Sequence, residues 1–237
     1  MHPESTGMKI EILEFTEGAK QAKGLAVIID VFRAFSVECY AYDCGASRVI
    51  ATSSIEDAFE LKKQYRNAVL VGERDERRIE GFDMGNSPTE ILLGDVLGKT
   101  VIHTTTAGTC GLANAVNCRP VITGSFVNAS VVAEYIKQTG ADHVSLVAMG
   151  YRANLSAEED ILCAEYIRSL LLGETRNYDN EIADLKYTSG KRFFNPANIN
   201  FSPPTDFFLC TMTDRFRFIL KAERRRDGNL NMERIDI

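Results

Sequence analysis

Short β-branched runs alternate along this chain with stretches of helical period. Lys9–Leu13 reads as a strand, and Leu25–Asp30 (LAVIID) is a nearly continuous apolar run that ends in an acid. Runs of that kind suit strands covered on both faces. The pattern then predicts a helix over Ala34–Cys44, closed by Gly45, and a strand over Arg48–Thr52. A helix follows over Ile55–Tyr65, with Ser54 as its cap and Asp57 in its first turn. Ala68–Gly72 is the next strand. After the polar stretch Glu73–Ser87, Ser87-Pro88 starts a short helix over Thr89–Leu93. Strands over Thr100–Thr105, Val121–Ser125 and His143–Met149 then alternate with helices over Gly108–Val116, Asn128–Gln138 and Glu158–Leu171. Ser156 is the expected cap of the last helix, whose first turn is acidic, as the helix dipole favours.

After Gly173 the pattern weakens. Asn180–Tyr187 reads as a short helix and Lys191–Pro204 as loop. Arg215–Glu223 and Leu230–Ile235 read as a hairpin through Asp227-Gly228-Asn229, added at a sheet edge. The strand–helix alternation predicts an α/β fold with a mainly parallel sheet covered on both faces. Residues 1–7 read as a disordered leader or tag. Residues 8–237 read as one domain with a peripheral C-terminal subregion from about residue 174.

Composition narrows the function classes. The 237 residues are 45% hydrophobic and 25% charged, ordinary for a globular enzyme. No apolar run approaches the ~20 residues that span a bilayer, and no secretory signal opens the chain. The six cysteines form no CxxC pair and read as reduced thiols, so a cytoplasmic location is expected. The net charge of −6 argues against a nucleic-acid partner. With three histidines, a zinc hydrolase or a His-based triad has little support. His103, inside a strand, reads as a satisfied core or sheet-face residue.

The candidate chemistry sits just after the strands, where open α/β sheets bind ligands. Asp30 ends a buried strand, a costly place for a carboxylate unless it is paired or holds a hard cation such as Mg²⁺. Thr104-Thr105-Thr106-Ala107-Gly108-Thr109 reads either as an anion cradle at a helix start or as a plain threonine-rich strand end. Gly81–Pro88 is a long, turn-dense loop that brings Asp83 and Asn86. Glu158-Glu159-Asp160 opens a helix, either as dipole compensation or, through Asp160, as a metal ligand. Carboxylates, arginines and hydroxyls thus share one rim. They suit metal-assisted attack by water on a small anionic phosphate ester.

Six ordered segments resemble the 2-phosphosulfolactate phosphatase family: VIIDVFRAFS (27–36), VGER (71–74), GFDMGNSPTE (81–90), TTTAGT (104–109), GSFVNASVVA (124–133) and EEDILCAEYI (158–167). The resemblance implies a three-layer α/β/α sandwich with a mixed sheet. It also implies an Mg²⁺-dependent phosphatase that converts 2-phospho-3-sulfolactate to 3-sulfolactate, a step of coenzyme M biosynthesis in methanogens. On this reading Asp30, Glu73 and Asp160 hold the metal, Asp83 takes the proton of the attacking water, and Thr105, Thr106, Gly108 and Thr109 hold phosphoryl oxygens. Arg33 and Arg74 take a carboxylate or sulfonate, with Ser36, Asn86, Ser87, Ser125 and Asn128 as further substrate contacts. Where the family loop reads TTTNGTRAL, this chain has Ala107 and Cys110, so the choice of substrate is less constrained than the reaction class. A phosphatase for another phosphorylated hydroxy acid and a non-catalytic receptor for an anionic metabolite stay open. A homodimer is expected.

Overall fold

The computed structural model describes residues 7–237. The expected leader therefore lies, except for Gly7, outside the described residues. The elements run β1 (Lys9–Glu14), α1 (Phe15–Gln21), β2 (Leu25–Ile29), α2 (Ala34–Asp43), β3 (Arg48–Ala51), α3 (Ile55–Gln64), β4 (Ala68–Arg74), β5 (Arg77–Arg78), α4 (Pro88–Leu93), β6 (Thr100–Thr104) and α5 (Gly108–Asn114). They continue with β7 (Val121–Gly124), α6 (Ala129–Thr139), β8 (His143–Ala148), α7 (Glu158–Leu172), α8 (Asp179–Asp184), α9 (Pro204–Thr211), β9 (Phe218–Arg224) and β10 (Leu230–Asp236). Short 3₁₀ turns link α8 to α9.

Alternation along the strands explains the layers. In β2 all five residues are buried. Ala26 and Ile28 face one apolar cluster, with Ala34 and Phe35 of α2 and Leu112 of α5. Leu25, Val27 and Ile29 face the other, with Val131 and Ile136 of α6 and Cys163 and Ile167 of α7. Likewise Val69 and Val71 of β4 point to the first cluster, while Leu70 joins Ala58 and Leu61 of α3 on the opposite face. A strand covered on both sides has no polar face to offer, which is why these runs are continuously apolar. The result is the expected three-layer α/β/α sandwich.

The sheet order is β1-β8-β2-β7-β9-β10-β3-β6-β4-β5. The strands β1, β8, β2 and β7 form one parallel block, and β3, β6 and β4 form a second. The terminal hairpin β9–β10 stands between them. It is antiparallel to β7 through Ile122↔Lys221 and to β3 through Leu230↔Ala51. This corrects the expectation of an edge hairpin and a peripheral C-terminal subregion. Burial gives the physical reason. Phe218, Ile219, Leu220, Leu230 and Met232 are all buried, and an edge strand has only one such neighbour to pack against. The two blocks run in opposite senses across the hairpin. A wide sheet accumulates roughly 20–25° of twist at each strand step. Over the five steps from β2 to β6, that turns opposed strand ends toward one another.

Local caps mostly follow the sequence. Ser54 accepts the Asp57 N–H at 3.1 Å, and Ser87 accepts that of Glu90 at 3.2 Å. Ser156 does not cap α7: Ala157 takes that position without a side-chain bond, and the Asp160 carboxylate in the first turn is engaged elsewhere. Helices α1 and α9 fall where no helix was expected. Both are short, and α9 begins behind Pro203-Pro204, which the loop assignment had absorbed. Among the described residues no helix is long and apolar enough to cross a membrane. All six cysteines are free thiols.

Candidate active site

The carboxyl ends of β2, β4, β6 and β8 meet around one cavity of about 230 Å³. One wall is acidic. Asp30 leaves β2 and turns back, so that its Oδ1 accepts the Ala34 N–H at 3.1 Å and ties the strand end to the start of α2. Asp160, in the first turn of α7, accepts the Val31 N–H at 2.8 Å through Oδ1 and the Gly150 N–H at 2.9 Å through Oδ2. It thereby joins the ends of β2 and β8. Glu73, near the end of β4, accepts the Thr106 N–H at 2.8 Å and the Glu76 N–H at 2.8 Å, fastening the threonine loop to the β4–β5 turn. Glu159 completes the wall, and its Oε2 is buried with no hydrogen-bond partner.

The threonine loop approaches Asp30 because residue 108 has no side chain. A Cβ there would lie 2.9 Å from the Ala34 Cβ and 3.0 Å from the Asp30 Oδ2. Thr105 and Thr109 lock the turn, with the Thr109 hydroxyl donating to the Thr105 carbonyl at 2.7 Å. Thr105, Thr106 and Ala107 face the cavity, and the buried Thr106 hydroxyl has no partner. Cys110 faces away: its Sγ lies 3.3 Å from the Thr16 hydroxyl of α1. Of the two departures from the family loop, only Ala107 therefore borders the cavity.

The rest of the lining carries basic and hydroxyl groups. Tyr151, Arg152, Ser189 and Arg192 belong to it. Arg192 bonds Glu76 Oε1 at 2.6 Å and the Phe32 carbonyl at 2.9 Å, and its buried Nε has no partner. Arg152 pairs with Asp75 at 2.6 Å across the mouth. Both mouth turns hold consecutive non-glycine residues at positive φ, Asp75-Glu76 and Arg152-Ala153. That conformation is sterically costly and tends to persist where the surrounding structure enforces it, often near functional sites.

The acids of the first wall repel one another. Burial pushes the Asp30 carboxyl up to about 6, the Ala34 N–H pulls it back, and the charges of Glu73 and Glu159 raise it further. Burial, then Glu159 and Asp30, push Asp160 well above the usual carboxylate range. Burial also raises Glu159, against the nearby Ser189 hydroxyl and Arg192. The neighbouring guanidiniums do not neutralise this wall, because each has another partner. Arg33 is held by Asp206 at 2.7 Å, Arg192 by Glu76, and Arg74 by the Glu73 and Ser53 carbonyls and the Thr104 hydroxyl.

Several expected site residues have other work. Asp83, expected as the base, stands away from the cavity, paired with Lys62 at 2.7 Å and accepting the Leu70 N–H. Arg74 does not line the cavity. Arg33 lines it, but its guanidinium is a buried clamp, bonded to Asp206 and to the Phe201 carbonyl. Ser87 donates to Asp206. Ser36 bonds the Ser125 hydroxyl, and Ser125 and Asn128 form the reciprocal cap before α6. These five serve helix starts and loop joints. Asn86 does border the cavity. Sequence reasoning missed Glu76, Ser189 and Arg192 and preferred Asp160 to its neighbour Glu159. The Ser189-Gly-Lys-Arg192 run, polar residues ahead of Phe193-Phe194, was the available signal.

Among the described residues no group of three His, Cys, Asp or Glu side chains is positioned to hold a metal ion. The expected trio of Asp30, Glu73 and Asp160 is thus not assembled as a ligand set: both oxygens of Asp160 and both of Glu73 already accept backbone N–H bonds. The donor chemistry still fits Mg²⁺. The wall offers hard carboxylate oxygens in surplus negative charge, and Mg²⁺ commonly takes one or two carboxylates, filling its shell with water and substrate phosphate.

An α/β sandwich whose strand ends enclose a small cavity lined by buried carboxylates, hydroxyls and arginines has the build of an enzyme site. A family model described as 2-phosphosulpholactate phosphatase matches residues 11–198. Among similar proteins, a "Probable 2-phosphosulfolactate phosphatase" of Carboxydothermus hydrogenoformans is 40% identical over 77% of this chain and 74% of its own length. One of Clostridium beijerinckii is 36% identical over 77% of each chain. One of Bacillus subtilis is 31% identical over 89% of this chain and 92% of its own. The chain belongs to the 2-phosphosulpholactate phosphatase family and is a phosphatase.

Proposed function

We propose that this phosphatase hydrolyses 2-phospho-3-sulfolactate to 3-sulfolactate and phosphate, with Mg²⁺ as its cofactor. The observation that carries the reading is a single cavity at the strand ends that gathers the buried acids Asp30, Glu73, Glu159 and Asp160 with Arg192, Ser189 and Tyr151. The names of the relatives support the same substrate. Asp30 would hold the ion, with Glu73 joining through a lone pair left beside its backbone N–H bonds; when bound, the ion screens the phosphoryl charge and acts as a Lewis acid. Asp160 holds the ends of β2 and β8 in place. Glu159, with a free carboxylate oxygen and a raised proton affinity, takes the proton of the attacking water. The water oxygen bonds to phosphorus, the ester P–O bond breaks, and the leaving alkoxide takes a proton from solvent. The Thr106 hydroxyl donates to a phosphoryl oxygen. Arg192 and Ser189 orient the carboxylate and sulfonate that are not transferred.

A panel of phosphate esters, assayed with Mg²⁺ and with EDTA, tests this. The expected result is phosphate release that EDTA abolishes, with kcat/KM for 2-phosphosulfolactate at least about tenfold above that for a phosphorylated hydroxy acid lacking the sulfonate. Preference for an ester with no second anionic group, or no release from any ester, overturns the reading.

A further inference from the structure

Behind the cavity lies a line of three polar side chains that the reaction above does not use. Glu38 of α2 and His103 of β6 are both fully buried, at 0% exposure. His103 Nδ1 lies 2.9 Å from Glu38 Oε1, and His103 Nε2 lies 3.1 Å from Asn86 Oδ1. Asn86 sits at the end of the line and borders the cavity. A ring nitrogen that faces an oxygen acceptor bonds to it only by carrying a proton. With Glu38 Oε1 on one side and Asn86 Oδ1 on the other, each ring nitrogen is placed to donate.

A buried, hydrogen-bonded polar pair of this kind needs close geometry to offset its desolvation. In packing terms, an apolar pair of equal volume would fill the same space between α2 and β6. What an apolar pair would not do is fix the asparagine. An Asn amide turns by half a rotation to suit its neighbours, and a protonated Nε2 accepts only one of the two orientations. With Oδ1 held by His103, the two N–H donors of Nδ2 are the part of Asn86 left for the cavity.

We propose that the Glu38–His103 pair is a positioning device that holds the Asn86 amide with its N–H₂ group toward the cavity, as a donor to a phosphoryl oxygen of the substrate. This rests on the phosphatase reading given above. Asn86 touches the substrate, and Glu38 and His103 act through it. Donors fixed before the reaction stabilise the charge that develops on the transferring group, and removing one typically costs about 10²–10³-fold in kcat.

The first readout needs no turnover. In protein carrying ¹⁵N-labelled histidine, His103 is expected to show both ring nitrogens protonated at pH 7. One unprotonated ring nitrogen would mean that the amide faces the other way and would overturn the proposal. The second is kinetic. Asn86→Asp keeps the oxygen toward His103 but replaces the donor with an acceptor, and is expected to lower kcat about 100-fold or more. His103→Gln is expected to lower kcat with KM changed less than about threefold. In the Asn86→Ala background, His103→Gln is expected to cost nothing further. Losses that multiply in the double variant would show that His103 does not act through Asn86. If His103→Gln does not fold, Asn86→Asp and the histidine spectrum still decide. If the unaltered enzyme releases no phosphate, the reaction assignment fails, while the spectrum still reports the amide orientation.

Discussion

Asp206 and Asp30 are both buried, at 0% and 7% exposure, and they are kept in opposite ways. Asp206 meets the Arg33 guanidinium at 2.7 Å and accepts three further bonds, from the Ser87 hydroxyl and from the Thr89 N–H and hydroxyl. Its charge is fully answered, and it joins the first βα loop, the start of α4 and α9 into one body. Asp30 receives one backbone bond and lies beside Glu73, Glu159 and Asp160 in the lining of a cavity. Its charge is answered by nothing in its own wall. The first arrangement builds structure. The second keeps a stored repulsion, and such strain is typically tolerated where activity requires it.

Substitutions should separate the two kinds of acid. Asp206→Ala leaves Arg33 buried without its partner and should cost about 3–5 kcal/mol of stability, read from the urea midpoint. Asp30→Asn keeps the Ala34 bond through its amide oxygen but removes a charge from the wall. Phosphate release should fall at least a hundredfold, about 3 kcal/mol in the barrier, while the thermal midpoint at pH 7.5 rises. A loss of stability in Asp30→Asn would contradict the contrast directly.

The pH dependence sharpens the same contrast. Asp30 holds its proton up to about 6 in the fold, against 3.8 for the ordinary carboxyl. The folded state therefore binds more protons in that window, and stability should fall as pH rises from about 4 to 6. This contribution is fully present below the lower value and lost above the upper one. Two units correspond to about 3 kcal/mol at most. Asp30→Asn should flatten that slope, measured by thermal unfolding across the window. The smallest effect belongs to Asp83, which was expected to be the base. Asp83→Asn should leave kcat within about twofold, because the side chain pairs with Lys62 and accepts the Leu70 N–H away from the cavity.

Much of the fold was legible because strands covered on both faces are written as unbroken apolar runs and because Ser54, Ser87, Gly45 and Gly173 mark helix ends. The hairpin was misplaced for a physical reason. The apolar residues of β9 and β10 report that a strand is buried but not which neighbours bury it, and Leu230↔Ala51 pairs residues far apart in sequence. In the site, Asp30 was legible as an acid at a buried strand end, and Gly108 as the glycine of a turn. Arg33 and Asp83 misled because the sequence shows that a charge is present, not which partner has claimed it. Arg33 was taken by Asp206, 173 positions away. Arg192 was hidden by the reverse effect: a residue in an apparent loop reaches the cavity only because α9 and the 3₁₀ turns fold back across the strand ends.

The central claim is that the acid wall is unbalanced until a divalent cation enters, and a magnesium titration tests it most directly. Thermal stability and phosphate release from 2-phosphosulfolactate should be followed together, in the unaltered protein and in Asp30→Asn. The account predicts that both rise with Mg²⁺ along one saturable curve in the unaltered protein, and that Asp30→Asn starts more stable and responds weakly or not at all. Full phosphate release in the presence of EDTA, or an equal stabilising response to Mg²⁺ in both proteins, would contradict it.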